Sequence, residues 1–410
     1  MSIEVRFISP DELPRLREVL SVAFGGGDPD ENWNPVWENV FETDRLLAAY
    51  EADDMVGAAG SFTFEMTIPG GTLPTAGLTI VGVLPTHRRK GILNKIMRAH
   101  IEDAQTHGEP ASILWASEEI IYQRFGYGMA SRHMQIEVDR GHSGFRNDPG
   151  PSGRQRFLAP DEVLKVLPDI YDRVRAVTPG MLARNSKWWE FHRLFDPKSD
   201  RDGASRLYTV VWENDGEAEG YALYRVKEKW THETGLPAGE VWVFEVVAAS
   251  PDAHRELWRY IYGIDLAQKV RGYSMAIDDP LPLISLEPRH LRPRLSDALW
   301  LRVIDIKGAL EARSYAADAS ITFELSDAFC PWNEGRWTLR SSASKATVEP
   351  AEAAADIALD ACDLGAAYLG GTTFNELVRA GRATQLTSGA IHRADSMFRT
   401  DRQPWYPEIF

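Results

Sequence analysis

Cysteine is almost absent from this chain. Among 410 residues there are two, Cys330 and Cys362. That excludes the disulfide framework of a small secreted domain. No Cys/His cluster has the spacing of a metal site, so no metal is expected. Positive charge is in deficit as well: 45 Lys and Arg stand against 60 Asp and Glu, a net charge of −15. Nucleic acid is therefore not expected as a partner, while a cationic small molecule would be steered favourably. No apolar run approaches the ~20 residues of a membrane-spanning helix. The opening Met1-Ser2-Ile3-Glu4-Val5-Arg6 lacks the basic and apolar regions of a signal peptide, and a cytoplasmic location is expected. The one run of glycines, Gly25-Gly26-Gly27, follows a helical pattern and not a strand, so it does not read as a phosphate cradle.

What the chain does have is one loaded stretch, from Ile80-Val81-Gly82-Val83-Leu84-Pro85 through Thr86-His87-Arg88-Arg89-Lys90-Gly91 to Ile92-Leu93-Asn94-Lys95-Ile96-Met97. Its first part reads as a buried strand with a proline at the exit. Its last part reads as a helix, since Ile92, Leu93, Ile96, Met97, His100, Ile101 and Ala104 recur at helical spacing. The loop between them offers free backbone N–H groups and the positive end of a helix dipole. That is a site for phosphate or pyrophosphate. Gly91 would let the anion approach the backbone, and the basic side chains would neutralise outer phosphates. A solvated basic turn between a strand and an amphipathic helix has the same composition.

The spacing separates the two readings. Val-x-Val-x-Pro followed by Arg-Arg-x-Gly-x-Leu and a helix resembles the acyl-CoA signature of the GNAT N-acetyltransferases. In that family the strand pairs with the pantetheine arm and the loop holds the pyrophosphate. Leu93 stands where Gly or Ala is usual. A second stretch adds to the resemblance. A strand over 112–116 leads into Ser117-Glu118-Glu119-Ile120-Ile121-Tyr122-Gln123-Arg124-Phe125-Gly126-Tyr127-Gly128. It is similar to a GNAT element whose first tyrosine protonates the departing CoA thiolate. A phenol with a pKa of about 10 suits that task, because the product thiol has one of about 8.5. Tyr122 is thus the expected general acid, against the plainer reading of a core tyrosine, and Tyr127 is expected to pack.

In chain order, residues 1–147 are expected to form an α/β unit. It holds a first strand, a helix opened by Ser9-Pro10-Asp11-Glu12, a short helix with Trp33, Trp37 and Phe41, and a hairpin across Asp53-Asp54. The central strand over 79–85 and the elements above follow. Residues 148–153 are rich in turn formers and mark a linker. A second unit is expected over 154–295. It carries a helix over 161–167, another opened by Pro168, a helix with Trp188, Trp189 and Phe191, and a hairpin over Asn214-Asp215-Gly216. A strand ending near Pro251 and a helix over 252–264 repeat the strand–Pro–helix plan of the first unit. Ala253, His254, Arg255 and Glu256 stand where Arg-Arg-x-Gly would be. This reads as an internal duplication that has lost its cofactor loop; two unrelated α/β domains is the alternative. Residues 296–410 read as an α+β domain, with half-buried strands around Ile321 and Trp337 and a helix capped by Thr373. The tail Asp401-Arg402-Gln403-Pro404-Trp405-Tyr406-Pro407-Glu408-Ile409-Phe410 has two prolines and three aromatics, unlike a frayed end.

The whole chain resembles the enhanced intracellular survival (Eis) acetyltransferases of actinobacteria. The resemblance rests on Leu73-Pro74-Thr75-Ala76-Gly77-Leu78, Pro85-Thr86-His87-Arg88-Arg89, Ala116-Ser117-Glu118, Arg124-Phe125-Gly126-Tyr127-Gly128, Gly220-Tyr221-Ala222-Leu223-Tyr224-Arg225-Val226, Asp279-Pro280-Leu281-Pro282 and Ala309-Leu310-Glu311-Ala312-Arg313. It implies tandem GNAT domains, the N-terminal one active and the central one degenerate, plus a C-terminal sterol-carrier-like domain. It also implies a hexamer built as a trimer of dimers. The chemistry implied is acetyl transfer from acetyl-CoA to amines such as aminoglycosides or lysine side chains. The family's cofactor positions fall on Val81, Gly82 and Val83, on Arg88, Arg89, Lys90, Gly91, Ile92, Leu93 and Asn94, and on Ser117 and Glu118. The general acid falls on Tyr122 and the general base on the α-carboxylate of Phe410. Trp37 falls on a wall of the amine pocket, with Thr79 and Ile80 nearby. Relatives carry an acidic residue in the first helical loop, where this chain offers Asp28 or Asp30. A non-catalytic protein that uses the sterol-carrier-like domain for an apolar ligand or a protein partner is the alternative function.

Overall fold

The computed structural model describes residues 3–26, 35–342 and 345–410. Asp28, Asp30 and Trp33 lie outside the described residues. The chain begins with β1 (Ile3–Phe7), α1 (Leu13–Phe24), α2 (Val36–Asn39), β2 (Leu46–Glu51), β3 (Asp54–Ile68), β4 (Gly71–Val83), α3 (Ile92–Thr106), β5 (Ala111–Trp115) and β6 (Gly128–Met129). It continues with β7 (Arg132–Asp139), β8 (Arg154–Phe157), α4 (Pro160–Arg175), α5 (Ser186–Trp188), β9 (Tyr208–Asn214), β10 (Glu217–Lys227), β11 (Gly239–Ala248), α6 (Pro251–Tyr262), β12 (Ala267–Ala276), α7 (Leu281–Ile284) and β13 (Arg294–Asp297). The last stretch holds β14 (Leu299–Val303), α8 (Ile306–Ala312), β15 (Ala319–Ser326), β16 (Gly335–Ser342), β17 (Lys345–Pro350), β18 (Ile357–Asp360), α9 (Ala361–Ala367), α10 (Phe374–Arg379), β19 (Ala383–Gln385) and α11 (Ala390–Phe398). Among the described residues no helix is long and apolar enough to cross a membrane.

Two compact units form. The first comprises Met1–Ser131, Ala298–Asp401 and Ile409–Phe410; the second comprises Arg132–Asp297 and Arg402–Glu408. The first unit carries a seven-stranded sheet, β1-β2-β3-β4-β5-β14-β6, and a five-stranded sheet, β17-β16-β15-β18-β19. In the large sheet only β4 and β5 run parallel. Local chemistry explains its helices. Ser9 and Glu12 form the reciprocal capping box, with Glu12 Oε2 accepting from the Ser9 N–H at 2.9 Å, and α1 then buries Leu16, Val19 and Leu20. Helix α3 buries Ile92, Ile96, Met97, His100, Ile101 and Ala104, the stripe that its 3.6-residue period places on one face. In the smaller sheet domain Thr373 caps α10 by accepting from the Glu376 N–H, and Phe323, Phe374 and Phe398 pack ring to ring.

The second unit carries the seven-stranded sheet β13-β7-β12-β11-β10-β9-β8, and again only one pair, β11 and β12, is parallel. In both sheets the strand of that pair nearer the N-terminus leads into a helix, α3 or α6. In both, the same strand carries a bulge against its antiparallel neighbour. The duplication expected from the strand–Pro–helix plan is therefore present in the fold. One expectation is corrected. Pro168 does not open a helix but lies inside α4, which runs unbroken across it. The proline removes one N–H bond to the Leu164 carbonyl. Leu164 is exposed, so water can satisfy that carbonyl, while Leu167, Ile170, Tyr171 and Val174 are buried and hold the helix to the unit.

Candidate active site

Strand β4 pairs with β5 only at Thr75↔Ala111, Ala76↔Ser112 and Gly77↔Ile113. Beyond Gly77 the two strands part. Leu78 through Val83 keep β3 on one side and have no strand partner on the other among the described residues. This leaves a wedge edged by unpaired backbone N–H and C=O groups, to which an extended, amide-bearing chain can bond. Opposite the wedge the β3–β4 register slips between Ala58↔Gly82 and Gly60↔Thr79, so that Ala59 faces both Ile80 and Val81. Ile80 sits in the bulge at φ 48°, a left-handed conformation that β-branched residues avoid. Such strain of ~1–3 kcal/mol persists where the surroundings over-determine it, characteristically at a site.

The loop after β4 is held from within. His87 Nδ1 lies 2.8 Å from Thr86 Oγ1 and its Nε2 3.2 Å from Glu51 Oε2. Arg88 reaches back to donate from Nη2 to the Ala23 carbonyl at 3.1 Å. Arg88, Arg89, Lys90 and Gly91 are all exposed, with Arg89 at φ 64° and Gly91 at φ 79°. Gly91 is the N-cap of α3, and no side chain caps that helix. Its first-turn N–H groups therefore point into the loop without an intrahelical acceptor. A Cβ added at Gly91 would meet no atom within 4 Å, so the approach to these N–H groups is open. These features fit the pyrophosphate and pantetheine of acetyl-CoA. Asn94 is exposed on the first turn of α3, whereas Ile92 is buried beneath it and Leu93 is half-buried. Val81 and Val83 are half-buried, and Gly82 is buried where a Cβ would press on Ala23 and Leu20 of α1. Ser117 and Glu118 are exposed immediately beyond β5.

Tyr122 follows β5 between two short 3₁₀ turns and is 9% exposed. Burial, reinforced by the Glu118 carboxylate, pushes its phenol up to about 12. It is held in the proton-bearing form across neutral pH. Tyr127 lies edge-on to it at 6.0 Å between centroids and is fully buried. Its hydroxyl meets Ser112 Oγ at 2.7 Å, Ser112 Oγ meets His100 Nε2 at 2.8 Å, and His100 Nδ1 meets Ser61 Oγ at 2.8 Å. Burial, then the Arg45 charge, depress the His100 pKa to about 3. It is a neutral core imidazole with both nitrogens bonded.

An aromatic ladder supplies the other part of the site. Trp37 is half-buried and stacks on Phe41 at 4.4 Å, and Phe41 stacks on Phe62 at 4.7 Å. Phe62 and Phe64 project from the same face of β3, two residues apart. The ring of Phe410 lies 5.8 Å from Phe62, edge-on, and 5.0 Å from Phe64. Gly77 makes room for this, because a Cβ there would stand 2.3 Å from Phe64 and 3.3 Å from the Phe410 ring. The terminal residue is thus seated on the aromatic ladder within the first unit. Phe41, Phe62, Phe64 and Gly77 carry this arrangement, and none of them stood out in the sequence as a site residue. The one signal available was the Phe-x-Phe alternation of β3 itself. Also missed was the buried cluster in which Arg45 donates to Asp103 Oδ2 and Glu109 Oε2, both at 2.7 Å.

Comparison with known proteins agrees with this geometry. Residues 4–130 and 180–303 match two models of an acetyltransferase (GNAT) domain, and residues 306–407 match a sterol carrier protein domain. An uncharacterized N-acetyltransferase of Streptomyces avermitilis is 39% identical over 100% of both chains. The N-acetyltransferase Eis of Mycobacterium tuberculosis is 33% identical over 89% of each. The crystal structure of Eis1 from Mycobacterium abscessus superposes with a TM-score of 0.85 at 32% identity, covering 99% of this chain and 100% of that one.

Proposed function

The chain belongs to the Eis family of acetyl-CoA-dependent GNAT N-acetyltransferases, and from that premise we propose that it acetylates primary amines of cationic acceptors such as aminoglycosides or lysine side chains. The observation that carries this reading is the seating of Phe410 on Phe62 and Phe64, in the unit that also keeps the open loop at Gly91. Acetyl-CoA supplies an acetyl group activated as a thioester. The exposed loop 88–91 and the first turn of α3 hold its phosphates, with Ser117 and Glu118 at the edge of the same opening. The free edge of β4 at Val81, Gly82 and Val83 aligns its arm. The acceptor enters as an ammonium, drawn by a net charge of −15. The α-carboxylate of Phe410 takes the ammonium proton. As the new N–C bond forms and the C–S bond breaks, Tyr122 gives its phenolic proton to the sulfur, and the second proton shed by the nitrogen passes through solvent and restores the phenol. Trp37 forms a wall of the acceptor pocket. The family's hexameric assembly extends to this chain, and light scattering on the purified protein is expected to give six copies of the 46.0 kDa polypeptide.

The test is a thiol-release assay with acetyl-CoA against aminoglycosides, lysine peptides and small diamines, with product mass as the second readout. CoA release together with acetyl mass gain on a polyamine is the expected result. Binding of acetyl-CoA without transfer to any of these amines would remove the acceptor assignment. Tyr122→Phe is expected to lower kcat by about 10²–10⁴-fold, the usual contribution of a positioned acid, with the KM for acetyl-CoA kept. Deletion of Phe410 is expected to cause a loss of similar size. Normal turnover by both variants would overturn the assigned roles.

A further inference from the structure

The second unit keeps the outline of a cofactor wedge without its chemistry. Strands β11 and β12 pair in parallel from Gly239↔Ala267 to Val243↔Gly272 and then part, as β4 and β5 do. The helix that follows is closed to an anion: Ser250 Oγ accepts from the Ala253 N–H, and Pro251 provides no donor. What the parted strands receive is the chain's own end. The indole N–H of Trp405 donates to the Ser274 carbonyl of β12 at 2.7 Å, and its backbone N–H donates to the Pro179 carbonyl at 2.9 Å. Trp405 shares the wall of a small cavity with Val246 of β11 and Met275 of β12. Ser274 stands at φ 50° in a bulge of β12, where the register against β7 slips between Gly272 and Met275. The bulge turns its carbonyl away from the ladder, free to accept from the indole.

Three residues further on, Glu408 is 1% exposed. One of its carboxylate oxygens accepts from Arg184 Nε, and the other accepts from Trp188 Nε1 at 3.3 Å. Arg184 is itself fully enclosed. Its Nη1 and Nη2 donate to the two oxygens of Glu245 at 3.0 and 2.7 Å, and its guanidinium lies over the Tyr171 ring at 3.8 Å. Arg193 pairs with Glu245 at 2.7 Å, so two cations meet two anions and the cluster is neutral. The Glu408 side chain is thereby fully used in binding. The terminal α-carboxylate follows two residues later, and two residues of chain span at most about 7 Å.

We propose that the parted strands of the second unit have become a clamp for the C-terminal tail, in which Trp405 and the Arg184–Glu408 pair act as positioning residues for the carboxylate of Phe410. The inference rests on that carboxylate being the base. Residues 402–408 correspond to a ligand that is covalently always present.

The test uses the full-length protein with one glycine inserted between Glu408 and Ile409. The insertion leaves every clamp contact in place and lengthens only the tether. Expected are an unchanged melting temperature, an unchanged KM for acetyl-CoA and a kcat lowered at least about tenfold, since misplacement by an ångström costs up to about 10²-fold. Glu408→Gln is expected to lower kcat in the same sense with acetyl-CoA affinity kept, and Trp405→Phe, which loses only the indole donor, by less. Wild-type kcat in the insertion variant overturns the clamp. Deletion of Phe410 separates the two levels. If that deletion abolishes turnover while the insertion is silent, the clamp fails and the base assignment stands. If the deletion is silent, the base assignment fails and takes the clamp with it.

Discussion

At Gly77 a single methyl group decides whether the terminal residue can seat. The Phe64 ring occupies the space a Cβ would need. Gly77→Ala is expected to cost ~1–3 kcal/mol in stability, as overpacking does, and to lower turnover more than acetyl-CoA affinity. Differential scanning together with the kcat/KM pair checks both. Tyr122 carries a pH prediction. With its phenol near 12, the acid form persists far into alkali, so its loss is not expected to give kcat an alkaline limb below pH ~10, the value of a free phenol. His100 carries another. Its folded pKa of about 3 lies below the free value, so the unfolded chain binds the extra proton between the two. Its contribution to stability is complete above pH ~6.5 and is lost as the pH falls toward 3, by at most ~1.4 kcal/mol per pH unit. His100→Gln, whose amide can still pair with Ser61 and Ser112, is expected to flatten the acid side of a melting-temperature profile. None of these three environments could be read from residue type, because each is created by burial in the folded chain.

Among the elements, α3 shows what local sequence could and could not reveal. Its apolar stripe, its start after Gly91 and the basic loop before it are contiguous, and periodicity with loop chemistry was enough to find them. Its fastening to the sheet was not visible. Arg45, just ahead of β2, forks onto Asp103 of α3 and Glu109 beyond it, and all three side chains are nearly inaccessible. Burial opposes the arginine's charge, and hydrogen bonds to Glu109 and Asp103 more than restore it. Arg45→Met strips two buried carboxylates of their shared arginine, at an expected cost of ~3–5 kcal/mol measured by chemical denaturation. The capping box at Ser9, the hairpin at Asp53-Asp54 and the Thr373 cap were equally local and equally readable. Pro168 was misjudged because the propensity rule knows nothing of the buried face that holds α4 together across it.

Across the whole molecule the order of the strands escapes any local reading. The first large sheet takes β14 between β5 and β6, and the strand that follows β6 in sequence belongs to the second sheet. Nothing in the composition of residues 299–303 says which sheet they join, since register and partner are set by tertiary packing. The aromatic ladder was only partly legible for the same reason: the family resemblance pointed to residues 37 and 410, but residues 41, 62, 64 and 77 meet them only once the chain is folded. The seat of Phe410 has a practical corollary. If the α-carboxylate of Phe410 is the base, as proposed, a gene fusion that extends the chain past that residue replaces it with a neutral amide, which cannot take up an ammonium proton. Protein made with a C-terminal affinity tag is expected to bind acetyl-CoA yet turn over poorly. On the same proposal, proteolytic trimming that restores Phe410 as the last residue is expected to restore turnover.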